Sequence, residues 1–185
     1  MSAIEKITKQ ELEQHLLSLD KESVAHRFGF PANEETIKRY IEGISDDDIL
    51  LGIKENIFSD NVITAVHLAF DNAKETVELG ISTLPGYKRR GFGERILRYS
   101  VDILRNRGIK QIYSICAPAN SALMGLIRKL NITSITSTPG QKEAVIAIPM
   151  AGIDSILHEI RNDRFVIIDK AMKPWADLWQ RMLVK

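Results

Sequence analysis

Apolar residues along the first half of the chain change their spacing once, and that change separates helices from strands. Leu12, Leu16, Leu17 and Leu19 recur at helical intervals behind Thr8, with Glu11 three residues after it in the pattern of a capping box, which predicts a first helix ending near Asp20. A second helix is expected from Asn33, whose side chain can cap free amides. Glu34 and Glu35 suit the positive end of its dipole, and Ile37, Tyr40 and Ile41 form its buried face. From Asp48 the segments Ile49 to Lys54, Asn61 to Asp71 and Thr76 to Thr83 are rich in β-branched residues and are separated by polar turns. They predict three strands joined by hairpins, an antiparallel meander. Gly91 to Arg107 then reads as a long amphipathic helix with Ile96, Leu97, Val101 and Leu104 inward and Gly108 at its C-terminal cap. A strand at Gln111 to Ala117, a short helix at Asn120 to Leu130 and a strand at Glu143 to Pro149 follow. Beyond Ala151 the pattern weakens, and the expectation is a helix around Ile153 to Arg161, a strand at Arg164 to Ile168 and an aromatic helix from Pro174 to Leu183.

These elements predict a mixed α/β (α+β) fold. Residues 1–150 are expected to form one domain, with 151–185 as a C-terminal extension packed on it. A chain of 185 residues that is 44% hydrophobic can bury a core of that size without staples. No internal repeat or Pro/Gly/Ser-rich linker divides it. Its 25 basic and 24 acidic residues nearly cancel, so the whole molecule has no electrostatic reason to seek nucleic acid or an anionic membrane. The apolar runs are far shorter than the roughly 20 residues a spanning helix needs, and residues 1–20 do not have the pattern of a signal peptide. The single cysteine, Cys116, fits a reducing compartment, and a cytoplasmic location is the expectation. His15, His26, His67 and His158 are scattered without metal-ligand spacing, so no metal site is expected.

The chemistry-bearing segment is the junction at which the strand ending at Thr83 passes through Pro85 and Tyr87 into Lys88-Arg89-Arg90-Gly91-Phe92-Gly93 and then directly into the long helix. Free amides at a helix N-terminus carry about half a positive charge and can hold a phosphate through main chain alone. Gly91 and Gly93 have no Cβ to block a pyrophosphate, and Lys88, Arg89 and Arg90 add charge around it. A dinucleotide site of the G-x-G type fits poorly, because the preceding strands form an antiparallel meander rather than a parallel βαβ unit.

This run, with the lead-in Leu84-Pro85-Gly86-Tyr87, resembles the acetyl-CoA signature R/Q-x-x-G-x-G/A of the GNAT acetyltransferase superfamily, with Lys88 where the family usually has Arg or Gln. The resemblance covers roughly Asp48 to Pro149, and His26-Arg27-Phe28-Gly29-Phe30 and Glu78-Leu79-Gly80-Ile81-Ser82 look like bacterial protein-acetyltransferase-like members. It implies a mostly antiparallel sheet with splayed middle strands and helices on both faces, and acetyl-CoA as co-substrate. Main-chain groups of Ile81, Ser82 and Thr83 would then pair with the pantetheine arm in the wedge, and Asn120 would contact the cofactor or serve only as a helix cap. The implied function is transfer of acetyl to a primary amine on a protein or a small molecule.

An amine must lose a proton before it attacks a thioester. Glu78 matches the strand glutamate that serves as base in many members. His67 is the second candidate, since histidine titrates near neutral pH, although a histidine among apolar residues is more often hydrogen-bonded filler. Many relatives place a proton-donating tyrosine where this chain has Ile127, leaving Tyr113, Tyr87 or solvent for that role. The same gap supports an alternative, an acyl-CoA sensor or interaction module without turnover. For the tail, with Trp175 and Trp179 four residues apart, burial against the same chain, a homodimer contact and a cover over the acceptor site are the alternatives. The sequence does not select the acceptor.

Overall fold

The computed structural model describes residues 3–71, 75–115, 121–129, 135–136 and 143–183. Among these residues seven strands form one sheet: β1 (Ile4–Lys6), β2 (Ile49–Lys54), β3 (Val62–Phe70), β4 (Thr76–Thr83), β5 (Gln111–Ile115), β6 (Ile135–Thr136) and β7 (Glu143–Ala147). Their order is β1-β2-β3-β4-β5-β7-β6, and every neighbouring pair is antiparallel except β4 and β5. The helices are α1 (Lys9–Leu17), α2 (Lys21–Phe28), α3 (Glu34–Glu42), α4 (Phe92–Asn106), α5 (Ser121–Lys129) and α6 (Ile153–Leu183). The expected mixed fold with a β2–β3–β4 meander is the observed one.

Alternation along β4 sorts the helices onto two faces. Ser82 hydrogen-bonds His15 of α1, and Gly80 lies under Arg27 of α2, whereas Thr83 approaches Gly93 of α4. Residues 78, 80 and 82 therefore face α1, α2 and α3, while 77, 79, 81 and 83 face the α4 side. On that side Val77, Leu79, Ile96, Leu97, Leu104 and Ile127 belong to a core that is almost completely withdrawn from water.

Local chemistry explains the helix boundaries. Thr8 and Glu11 form the expected capping box, Asp20 caps α2 by accepting from the Ser23 amide at 2.7 Å, and Asn33 caps α3 by accepting from the Thr36 amide at 2.9 Å. Gly29, at φ 77°, closes α2 in the left-handed conformation that glycine adopts without a Cβ clash.

Three expectations require correction. Residues 21–28 form a helix that the apolar spacing did not reveal, because Val24 and Phe28 are its only large apolar residues. The short strands β1 and β6 were also not expected. The tail is one helix of 31 residues, and 164–168 are helical rather than a strand. Its β-branched run finds no strand partner among the described residues, whereas the preceding turns are fixed as helix by contacts to α4 and β1. Asn106 donates to Glu159 at 2.6 Å, His158 pairs with Asp102 at 2.6 Å, and Asn162 bonds both the amide and the carbonyl of Ile4. The side chains of Trp175 and Trp179 lie outside the described residues, as do Cys116 and Asn120.

Candidate active site

The β4–β5 ladder runs only from Thr76–Gln111 to Glu78–Tyr113. Past that rung the strands part, and Ser114 Oγ donates to the Leu79 carbonyl at 3.2 Å across the opening. The β5-facing main-chain groups of Ile81, Ser82 and Thr83 thus lie beyond the end of the ladder, an edge able to bond an extended ligand as a further strand would. The side chain of Ser82 is committed inward. His15 Nδ1 lies 2.7 Å from the Val62 carbonyl, which can only accept, so Nε2 accepts from Ser82 Oγ at 2.9 Å. Burial pushes the His15 pKa down to about 4, despite the Val62 bond, and holds the ring neutral.

β4 then leads through a 3-10 turn at Pro85–Tyr87 into the basic turn Lys88 to Gly91. Arg89 at φ 60° and Gly91 at φ 84° both adopt left-handed backbone, a conformation used where successive amides turn toward one anion. Unlike α1, α2 and α3, α4 has no side-chain cap. The Phe92, Gly93 and Glu94 amides have no acceptor among the described residues, and nothing lies within 4 Å of the place a Cβ on Gly91 would occupy. The turn is therefore open and fits a pyrophosphate. The basic side chains divide their roles. Arg90 lies over the rings of Tyr87 and Phe92, Lys88 Nζ donates to Ser23 Oγ at 2.6 Å and ties the turn to α2, and Arg89 is exposed.

Beside the wedge, on the α2 and α3 face, a cleft of about 450 Å³ is lined by Arg27, Phe28, Phe30, Tyr40, Glu78 and Leu79 among others. Glu78 is exposed and stands on the last paired rung of β4. His67 does not line this cleft. It is 5% exposed, with Nε2 3.0 Å from Asp48 Oδ2 and Nδ1 against the Tyr40 hydroxyl. The proton positions in this chain follow from Arg27, which can only donate. Arg27 donates to the Tyr40 oxygen, Tyr40 O–H to His67 Nδ1, and His67 Nε2–H to Asp48. Burial lowers the His67 pKa, and the Arg27 charge adds to that effect, while Asp48 opposes it. Burial likewise raises that of Tyr40, so the phenol stays protonated. Arg27, Tyr40 and Asp48 were not among the residues predicted for the site. Asp48, Tyr40 and Arg27 carry no local motif, and only the approach of α2 and α3 to β3 and β4 brings them together.

A model of the Acetyltransferase (GNAT) family matches residues 13–132. The chain belongs to the GNAT acetyltransferase family. This GNAT protein is accordingly an acetyl-CoA-dependent acetyltransferase. Its fold is similar to the GNAT domain of S. lividans PAT, at a TM-score of 0.62 and 16% identity over 78% of this chain and 88% of that one. It is also similar to a phosphinothricin acetyltransferase from Sinorhizobium meliloti solved with AcCoA (0.61, 18%, 82% and 90%). The Escherichia coli ribosomal-protein-S18-alanine N-acetyltransferase is a third such structure (0.56, 20%, 83% and 98%). At these identities the likeness concerns the fold. No curated protein sequence matches the chain. No helix among the described residues is long and apolar enough to cross a membrane, and none of their His, Cys, Asp and Glu side chains form a group able to hold a metal ion.

Proposed function

We propose that this GNAT member transfers acetyl from acetyl-CoA to a primary amine seated in the cleft between α2, α3 and β4, with Glu78 taking the proton the amine must lose. The observation that carries the proposal is the position of Glu78: it lines the cleft and stands on the rung where β4 and β5 separate. Pyrophosphate on the Phe92 to Glu94 amides and pantetheine along Ile81 to Thr83 would direct the thioester back along β4 toward that rung. The free amine then attacks the thioester carbonyl, a C–N bond forms, the C–S bond breaks, and the departing thiolate takes a proton. Ile127, in the position of the usual proton-donating tyrosine, is completely buried. Tyr87 donates to Glu55 at 2.5 Å. Tyr113 is the register partner of Glu78 and shares its side of the sheet, so it is our candidate for returning the proton.

Both ring nitrogens of His67 are taken by Tyr40 and Asp48, which favours a positioning role over direct proton abstraction. The acceptors in the neighbours' names, a ribosomal-protein alanine and phosphinothricin, include both protein and small-molecule amines, so they do not select one. A cytoplasmic location and a homodimer belong to the same proposal. The support for the dimer is the row of exposed apolar residues on α6 that includes Ile153, Leu157, Ile160 and Ile167. Turnover of acetyl-CoA with an amine panel is the test. Glu78→Gln should lower kcat by about 100-fold or more with cofactor affinity nearly intact; full activity rejects the base assignment. Tight cofactor binding with no turnover by the unaltered protein would favour the sensor alternative.

A further inference from the structure

Arg27 is held in the cleft without a carboxylate partner among the described residues. Its guanidinium occupies the volume a side chain at Gly80 would fill: a Cβ built there would lie 1.9 Å from Nη2 and 2.0 Å from Cζ. Its charge rests 5.2 Å from the centres of the Phe28 and Tyr40 rings, and one N–H is used on the Tyr40 hydroxyl. That hydroxyl is itself oriented by His67 and Asp48, so a buried chain of three residues fixes where the guanidinium sits. The other N–H groups of Arg27 have no acceptor among the described residues. The second arginine of the cleft, Arg39, is paired with Glu35 at 3.1 Å, which leaves Arg27 as the cleft cation with no ion pair among the described residues.

The cleft's anion is Glu78, two residues from Gly80 on the same face of β4, and so about 7 Å along the strand from the site the guanidinium covers. Among the described residues' ion pairs, none joins Arg27 to Glu78. A fixed cation and a fixed anion held apart on one wall are complementary to a molecule carrying both charges close together. Around them, the Phe28 and Phe30 rings make the lining apolar. Phe30 is 52% exposed, and its ring centre is 6.2 Å from that of Phe28.

We infer that the cleft is a subsite for a zwitterionic acceptor, an α-amino acid with an apolar side chain. Its carboxylate is held by the Arg27 fork, its ammonium faces Glu78, and its side chain lies against Phe28 and Phe30. This deepens the proposed function and rests on its assignment of the cleft to the acceptor. The planar fork suits a carboxylate through two parallel N–H bonds, and an ammonium placed alone in the cleft would meet the repulsion of Arg27. An α-amino acid satisfies both fixed charges in one molecule of a size the cleft admits. A lysine side chain of a protein offers the ammonium but brings no carboxylate beside it.

The test uses the full chain with acetyl-CoA and matched acceptors: L-phenylalanine, L-leucine, L-methionine and L-tryptophan, each beside its decarboxylated amine and its carboxamide. CoA release is followed by chromatography. At least one acid is expected to exceed its amine and its amide at least tenfold in kcat/KM. Arg27→Gln should abolish that preference through KM, and Arg27→Lys should restore part of it. Gly80→Ala, which keeps the arginine but displaces it, should reproduce the loss. Equal rates for acid, amine and amide overturn the inference and leave the acetyltransferase reading standing, as does a loss in Arg27→Gln that is the same for all three. If no acceptor turns over, calorimetry with the same four amino acids decides: binding that Arg27→Gln removes supports the subsite, and no binding overturns it. Failure of acetyl-CoA itself to bind counts against the enzyme reading alone.

Discussion

Lowering the pH from 7.5 to 5 should remove about 2 kcal/mol of stability through His15 alone. The ring is 2% exposed, bridges the Val62 carbonyl and the Ser82 hydroxyl, and keeps a pKa near 4 because burial disfavours its charged form; the nearby Arg27 charge works in the same direction. In the unfolded chain the same group titrates at the usual 6.5. Between these values the unfolded state binds the additional proton, so stability rises with pH. The contribution is fully present above 6.5 and is lost as the pH falls through the interval toward 4. At 1.36 kcal/mol for each pH unit, the whole interval corresponds to about 3 kcal/mol, of which about 2 kcal/mol has gone by pH 5. Other groups titrate over the same range, His67 among them, so the informative quantity is the difference between the protein and His15→Gln, whose amide can keep both hydrogen bonds without titrating. Urea unfolding followed by circular dichroism at several pH values gives that difference. It should shrink by about 2 kcal/mol between pH 7.5 and 5. A difference that stays flat would mean that His15 protonates equally well in the folded protein, and the buried bridge to β4 would be wrong.

Two further outcomes follow from the attachment and exposure of α6. Asn162 bonds the amide and carbonyl of Ile4 at 3.3 and 2.7 Å, so Asn162→Ala should cost about 1–3 kcal/mol in urea unfolding; no measurable change would show that this tie between α6 and the edge strand β1 contributes nothing. If the outer apolar residues of α6 join two copies, sedimentation of the full chain should show a dimer that Ile167→Glu converts to monomer, and a monomer at every concentration rejects the interface.

The parts of this molecule legible in its sequence are those that local chemistry dictates. Runs rich in β-branched residues between polar turns located β2, β3 and β4, and the caps Thr8, Asn33 and Gly108 located helix ends. The open turn before α4 was also legible, because Gly91 and the uncapped start of the helix lie within a few consecutive residues. The C-terminal β-branched run was misread because Phe165 to Ile168 favour a strand only when another strand is beside them; α4 and β1 instead extend the helix through its earlier turns. The cleft between α2, α3 and β4 was illegible for a different reason. Arg27, Tyr40, Asp48 and His67 come from four elements or turns, and each has an ordinary local role: a last-turn cation, a helix's buried face, a turn acid and a core histidine. Their relation exists only after α2 and α3 have packed across β3 and β4.

Calorimetric titration of acetyl-CoA into the protein, Gly91→Ala and Gly91→Glu tests the central claim most directly, that the amides opening α4 hold the pyrophosphate. Both substitutions force a left-handed residue at φ 84° and so share the same backbone cost, but only the glutamate places a carboxylate at the open mouth of the turn. The account predicts that Gly91→Glu binds at least about tenfold more weakly than Gly91→Ala. Equal affinity of the two variants would contradict it.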